Sequence, residues 1–203
     1  TSAMPELHEE QITASMLNPL VPTLRIDHVW TDYTSLQYAN KENIKDKKYF
    51  VFFKKSVLGK KIVGVSRRAK NVLIHLSGGV TILVHMKMTG HLLYGKYAYR
   101  NGVWVPPHDG KLDDPFNRFI HLAFSLSNGK TLVLCDMRKF AKVYVLETSS
   151  IPTCVDLKDL GPEPLDTSFS YQIFRSQLQK KPTGKIKSVL LDQTGIAGIG
   201  NIY

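Results

Sequence analysis

The sequence predicts an α+β protein: an N-terminal helix, a two-layer antiparallel β-sandwich, and a helical segment after it. Three observations carry this. Ile12, Met16, Leu17 and Leu20 recur at helical spacing near the start. Short β-rich runs then alternate with turn signals such as Ser77-Gly78-Gly79 and Ser127-Asn128-Gly129-Lys130. After a polar break at residues 148–152, Phe169, Ile173, Phe174 and Leu178 restore a helical apolar stripe.

In chain order, the first helix is expected over residues 9–20, with Pro19 and Pro22 marking its end. Strands are expected at 25–30, 49–53, 61–66, 71–76, 81–86, 119–126, 131–135 and 141–146. Residues 97–116, rich in Pro, Gly and Asp, read as one long polar loop. The sandwich domain is placed at 1–148, a linker at 149–155 and a helical domain at 156–203. Helical character is expected at 156–160, 168–180 and 185–192, before a turn at 195–200 that leads towards a further helix.

A chain of 203 residues with 43% hydrophobic content can bury a core. Its 27 Lys and Arg against 17 Asp and Glu leave a net charge of +10, which favours a polyanionic partner and salt-dependent binding. Cys135 and Cys154 form neither a CxxC pair nor a disulfide framework, so a reducing, intracellular setting and no metal site are expected. No apolar run approaches the roughly 18 residues that span a bilayer, so no membrane partner is expected.

Several motifs carry chemistry. Met4-Pro5-Glu6-Leu7 opens the first helix, where Pro and Glu suit the first turn on structural grounds alone. If Met4 is removed, Pro5 presents a secondary amine with a pKa near about 8, nucleophilic enough to form an iminium with a sugar carbon. Glu6 and Glu9 then lie close enough to shuttle protons. Arg67-Arg68-Ala69-Lys70 falls between two strands, where basic side chains either reach phosphates or are simply solvated. His85-Met86-Lys87-Met88 and Asp136-Met137-Arg138-Lys139-Phe140 each follow a strand. They are core residues at strand ends, or side chains that enter a duplex when a base is extruded. Lys187 on one helix and Asn201 within Gly198-Ile199-Gly200-Asn201 suit an anion site at a helix start.

These motifs, together with Gly161-Pro162-Glu163-Pro164-Leu165, occur in an order that resembles the formamidopyrimidine-DNA glycosylase and endonuclease VIII family across essentially the whole chain. Met88, Arg138, Phe140 and the 67–70 element are similar to its formamidopyrimidine/8-oxoguanine branch. The resemblance implies a monomeric base-excision enzyme acting on double-stranded DNA that carries oxidised purines or abasic sites, with AP lyase activity. It makes Pro5 the Schiff-base nucleophile, Glu6 the proton-transferring partner and Glu9 a supporting carboxylate. It assigns Lys70, His85 and Asn201 to phosphates, Lys187 to the damaged nucleotide, and Met88, Arg138 and Phe140 to the gap in the helix. It also implies that residues 156–203 begin a helix-two-turn-helix domain.

The sequence departs from the family pattern in four places. His8 replaces a proline, which is expected to alter the helix entry. Met137 and Ala141 replace a Pro and a Gly, which is expected to reshape that loop. Thr1 to Met4 precede Pro5, and while attached they keep its nitrogen in an amide. The family's zinc finger, usually held by four cysteines, has no counterpart, so no cofactor is expected in this chain, which reads as truncated. Two alternatives compete: a catalytically silent module that binds damaged or abasic DNA, and a basic RNA-binding domain. The second leaves the Pro5-Glu6 start unexplained.

Overall fold

The computed structural model describes residues 6–107, 112 and 114–201. Pro5 lies outside the described residues, as do Ile202 and Tyr203. Helix α1 spans Leu7–Leu17, and Glu6 is its N-cap in a reciprocal capping box with Glu9. Its buried face is Glu10, Ala14 and Leu17. Of the stripe read from the sequence, Ile12, Met16 and Leu20 are exposed, because the helix turns the Glu10–Ala14–Leu17 side to the sandwich instead.

Ten strands follow. One four-stranded sheet has the order β1 (Ile26–Thr31), β8 (Ile120–Leu126), β9 (Thr131–Cys135), β5 (His91–Gly95). The other runs β10 (Lys142–Glu147), β4 (Val80–His85), β3 (Asn71–Leu76), β2 (Ile62–Arg68). All of these pairings are antiparallel. The main core fills the space between the sheets with alternate residues, Val72, Ile74 and Leu76 from one and Leu122, Phe124 and Leu126 from the other.

Both outer faces are also covered in part. Leu73, Leu83 and Tyr144 pack beneath Leu157, while Ala123, Val133 and Cys135 pack beneath Tyr97 and Trp104. Burial on two sides explains why these strands read as near-continuous apolar runs rather than as alternation. The second cover is a hairpin, β6 (Ala98–Arg100) and β7 (Val103–Val105), inside the stretch that the sequence presents as loop. Its strands of three residues are too short for a period-2 signal.

Residues 49–53 are not a strand. They lie in helix α2 (Lys47–Val57), whose N-cap Asp46 accepts from the Tyr49 N–H at 2.7 Å. The aromatic run mimics a strand, but Phe53 and Val57 enter the core from one helical side while Val51 and Phe52 remain exposed. Gly59, at φ 76°, follows the helix end. Residues 156–160 form turns rather than a helix. They serve to bring Leu157 onto the sheet.

Beyond them come α3 (Tyr171–Gln179) and α4 (Ile186–Leu191). A buried ionic clasp ties this region to the sandwich. Glu163 accepts from Arg67 at 2.6 Å, from Arg68 at 2.7 Å and from the Ala69 N–H at 2.5 Å. Arg68 also donates to the Leu160 and Gly161 carbonyls, and Arg67 to Gln11 on α1. The Arg67–Arg68 pair thus spends its donors inside the protein. Removing the carboxylate would leave two guanidiniums uncompensated, one of them with a side chain only 5% exposed. We predict that Glu163→Gln lowers unfolding free energy by about 3 kcal/mol in urea titration. A loss below about 0.5 kcal/mol, the range of neutral surface changes, would contradict the clasp.

Candidate active site and nucleic-acid interface

The glycine string near the C-terminus folds back onto the start of α1. Gly198 has φ 93°, and a Cβ there would overlap the Leu7 side chain. A Cβ on Gly200 would overlap the Glu6 carboxyl. Gln193 fixes the turn, accepting from the Gly198 N–H at 2.8 Å and donating to the Ile199 carbonyl at 2.9 Å. The glycines permit this contact, and Asn201 follows it as an exposed residue.

Three carboxyls stand at the start of α1. Glu6 is 1% exposed, and its backbone N–H donates to Glu9 at 3.0 Å. Glu9 and Glu10 line a cavity of about 200 Å³ with Met86, Thr89, His91 and Phe116. Glu10 is equally buried, and neither carboxyl oxygen has a hydrogen-bond partner among the described residues. Burial, and then the neighbouring Glu9, push its pKa well above the ordinary carboxylate value; Arg67 and Lys70 oppose this. Glu10 carries no signal of its own in the sequence, since it stands beside Glu9 and only the helix register turns it inward.

Lys70 is half-buried, and desolvation lowers its pKa against the attraction of Glu6 and Glu10. It lines a groove of about 480 Å³ with His85, Met88 and Gln193. His85 is held down to about 4, first by burial and then by Lys87, so it is neutral at physiological pH. Its Nδ1 accepts from the Lys87 N–H at 3.1 Å, which places the proton on Nε2, a neutral donor. Lys187 and Asn201 line an adjoining hollow of about 240 Å³. Leu191 borders both.

Two loops stand beside this groove. Arg138 donates to the Met88 sulfur at 3.2 Å, and its guanidinium lies 4.7 Å from the Phe140 ring centre. Phe140 is 44% exposed. Their common support is Asp136, fully buried, which accepts from Tyr33 at 2.8 Å, from Thr89 at 2.5 Å and from the Ala141 N–H at 2.7 Å. Thr89 in turn accepts from the Arg138 N–H at 3.1 Å. One carboxylate therefore connects the Met88 loop to the Arg138–Phe140 loop. Among the described residues, no group of three or more His, Cys, Asp or Glu could hold a metal ion, and no helix is long and apolar enough to cross a membrane.

Residues 4–143 match the model of the formamidopyrimidine-DNA glycosylase N-terminal domain, and 160–203 match that of its H2TH domain. The chain belongs to the formamidopyrimidine-DNA glycosylase family. The formamidopyrimidine-DNA glycosylase of Desulforamulus reducens is 34% identical over 98% of this chain and 64% of its own length. That of Pelotomaculum thermopropionicum is 35% identical with the same coverage. This chain therefore spans a little under two thirds of these relatives. The Lactococcus lactis enzyme in complex with N7-benzyl-Fapy-dG DNA superposes with a TM-score of 0.75 at 28% identity, over 98% of this chain and 64% of that one. Its complex with abasic-site DNA gives the same score, identity and coverage.

In this formamidopyrimidine-DNA glycosylase family member the helix entry survives the His8 substitution. His8 is exposed on α1 while the Glu6–Glu9 box caps the helix. In the 136–141 loop Met137 is 45% exposed and Ala141 is buried. Glu10 supplies a pH test. The folded protein holds its proton where the unfolded chain has released it, so this group's stabilisation is complete below the unfolded pKa and is lost as pH rises through the folded one. We predict that Glu10→Val removes the part of the stability decline that sets in as pH rises above the ordinary carboxylate value of 4.5, as read in urea titrations. Parallel wild-type and variant curves would contradict it.

Proposed function

We propose that the protein is a base-excision DNA glycosylase for oxidised purines, 8-oxoguanine and formamidopyrimidines, that also cleaves the strand as an AP lyase. The observation that carries this reading is Glu6, a buried carboxyl fixed next in sequence to Pro5 and covered by the glycine turn that bears Asn201. The DNA ligands of the Lactococcus lactis complexes, a Fapy-dG derivative and an abasic site, fit the substrate and product of such a reaction.

In this scheme the Pro5 nitrogen, freed of preceding residues, attacks C1′ of the damaged nucleotide. The bond from C1′ to the base breaks, and the base leaves with a proton. The nitrogen loses its own proton, then its lone pair expels O4′, which Glu6 protonates, leaving an iminium at C1′. The iminium acidifies C2′, so loss of a C2′ proton expels the 3′ phosphate and a second elimination expels the 5′ phosphate. Water then releases Pro5. No step uses a cofactor.

DNA binding falls to the remaining groups. Lys70, the neutral His85 and Asn201 face phosphates, and Lys187 lies by the damaged nucleotide. Met88, Arg138 and Phe140 fill the gap left by the extruded base, Arg138 towards its former partner. The ligand is duplex DNA, and the working unit is a monomer.

Glu6→Gln is expected to stop base release from 8-oxoguanine duplex while preserving duplex affinity, as read by product gels and by fluorescence anisotropy. Undiminished base release would refute the role of Glu6. Lys70→Ala is expected to weaken binding to all duplexes and to reduce the salt slope by about one. An unaltered slope would remove Lys70 from the phosphate contacts. If the wild type binds lesion and abasic duplexes without base release, the silent damage-binding reading replaces the catalytic one.

A further inference from the structure

Lys45 is an anomaly for a surface-rich residue type: it is 2% exposed, among the largest fully buried side chains of the protein. It sits just before α2, next to the N-cap Asp46, far in sequence from every motif above. Its ammonium donates to the Lys139 carbonyl at 2.6 Å. Two rings close over it, Tyr38 at 4.7 Å and Tyr33 at 5.2 Å from ring centre to Nζ. Tyr33 is the same residue that donates to Asp136.

We propose that Lys45 is a positioning residue for the Arg138–Phe140 loop: its caged ammonium holds the Lys139 carbonyl inward, so that the neighbouring Arg138 and Phe140 side chains project together. The inference rests on the DNA-facing reading of that loop given above. The backbone shows why the loop needs a hold. Lys139 has φ 55°, a left-handed conformation without glycine, and its N–H closes a turn onto the Asp136 carbonyl at 3.1 Å. Asp136 supports the loop at its two ends through Thr89 and Ala141. Lys45 supports it at the apex, between Arg138 and Phe140.

The charges around Lys45 come from each neighbouring element: Asp136 favours the ammonium, Lys87 opposes it, and Lys41 lies over the far ring, Tyr38. Burial outweighs Asp136 and brings the pKa down to about 8. Above that pH the folded protein releases a proton that the unfolded chain retains, so this group raises global stability as pH increases towards its ordinary value of 10.5. The same proton loss turns the charge-assisted bond into a weaker neutral one. Loosening of the loop on the alkaline side is therefore separable from unfolding.

The test is amide hydrogen exchange of residues 137–141 in the DNA-free protein, wild type against Lys45→Met, which keeps the apolar stem and removes the donor. Exchange in this loop, corrected for intrinsic rates, should accelerate about tenfold, with β3 and β4 unchanged. Unchanged loop protection in a folded Lys45→Met protein would overturn the proposal. Should that variant not fold, the wild type alone decides: loop protection should fall between about pH 7 and pH 9 while strand protection holds, and parallel behaviour would overturn it. A second readout ties the hold to function. Lys45→Met should lose about tenfold in kcat/KM on 8-oxoguanine duplex and nothing on an abasic site in single-stranded DNA, where no orphan base needs a wedge. Faster loop exchange in Lys45→Met, alongside a wild type that releases no base, would leave the positioning intact and remove only the catalytic reading.

Discussion

Glycine at positions 198 and 200 is the constraint on which the site depends. Any side chain there would displace Leu7 or Glu6, so the turn that carries Asn201 can approach the first turn of α1 only as bare backbone. That approach joins opposite ends of the chain. Gln193 holds the turn from within, while the Ala197 N–H donates to the Pro162 carbonyl and Gly161 abuts Gly195. Through Glu163 the same segment grips Arg67 and Arg68 and so fixes the turn from which Lys70 projects. Sandwich and helical region are thus locked together where the acids, the lysine and the groove meet.

Within that frame the electrostatics divide the labour. Glu6, Glu9 and Glu10 crowd the first turns of α1, and Lys70 is the cation drawn towards them. Burial raises the Glu10 pKa and so disfavours a further negative charge beside Glu9. His85 is kept neutral by the same means and offers a hydrogen bond without a charge. The two protruding loops are separate from this chemistry, yet one buried carboxylate, Asp136, fixes both. Met88, Arg138 and Phe140 are in this way carried on loops tied to the sandwich by a buried acid.

Much of the fold was legible because paired strands leave strong signals: β3, β4, β8 and β9 read directly from apolar runs bounded by Gly-containing turns. Helix α2 was misread because Tyr49 to Phe53 has strand composition, and its true determinant was the single cap Asp46. The β6–β7 hairpin escaped because its signal is a tertiary one, two aromatic residues covering a sheet. In the site, Lys70, His85 and Met88 are brought to one groove, and Lys187 and Asn201 to the next. The motif spacing anticipated their existence but not their supports. Arg67 and Arg68 fit either a phosphate contact or a solvated turn, and only the fold shows Glu163 opposite them. Glu10, Asp136 and Lys45 depend on burial, which no local pattern encodes.

The proposed chemistry turns on a covalent link between Pro5 and DNA. The direct measurement is borohydride trapping of the protein on a duplex with one 8-oxoguanine opposite dC, followed by peptide mass spectrometry. A reduced adduct on the nitrogen of an N-terminal Pro5 is expected. Base release with no adduct, or with the adduct on a lysine such as Lys70, would contradict it.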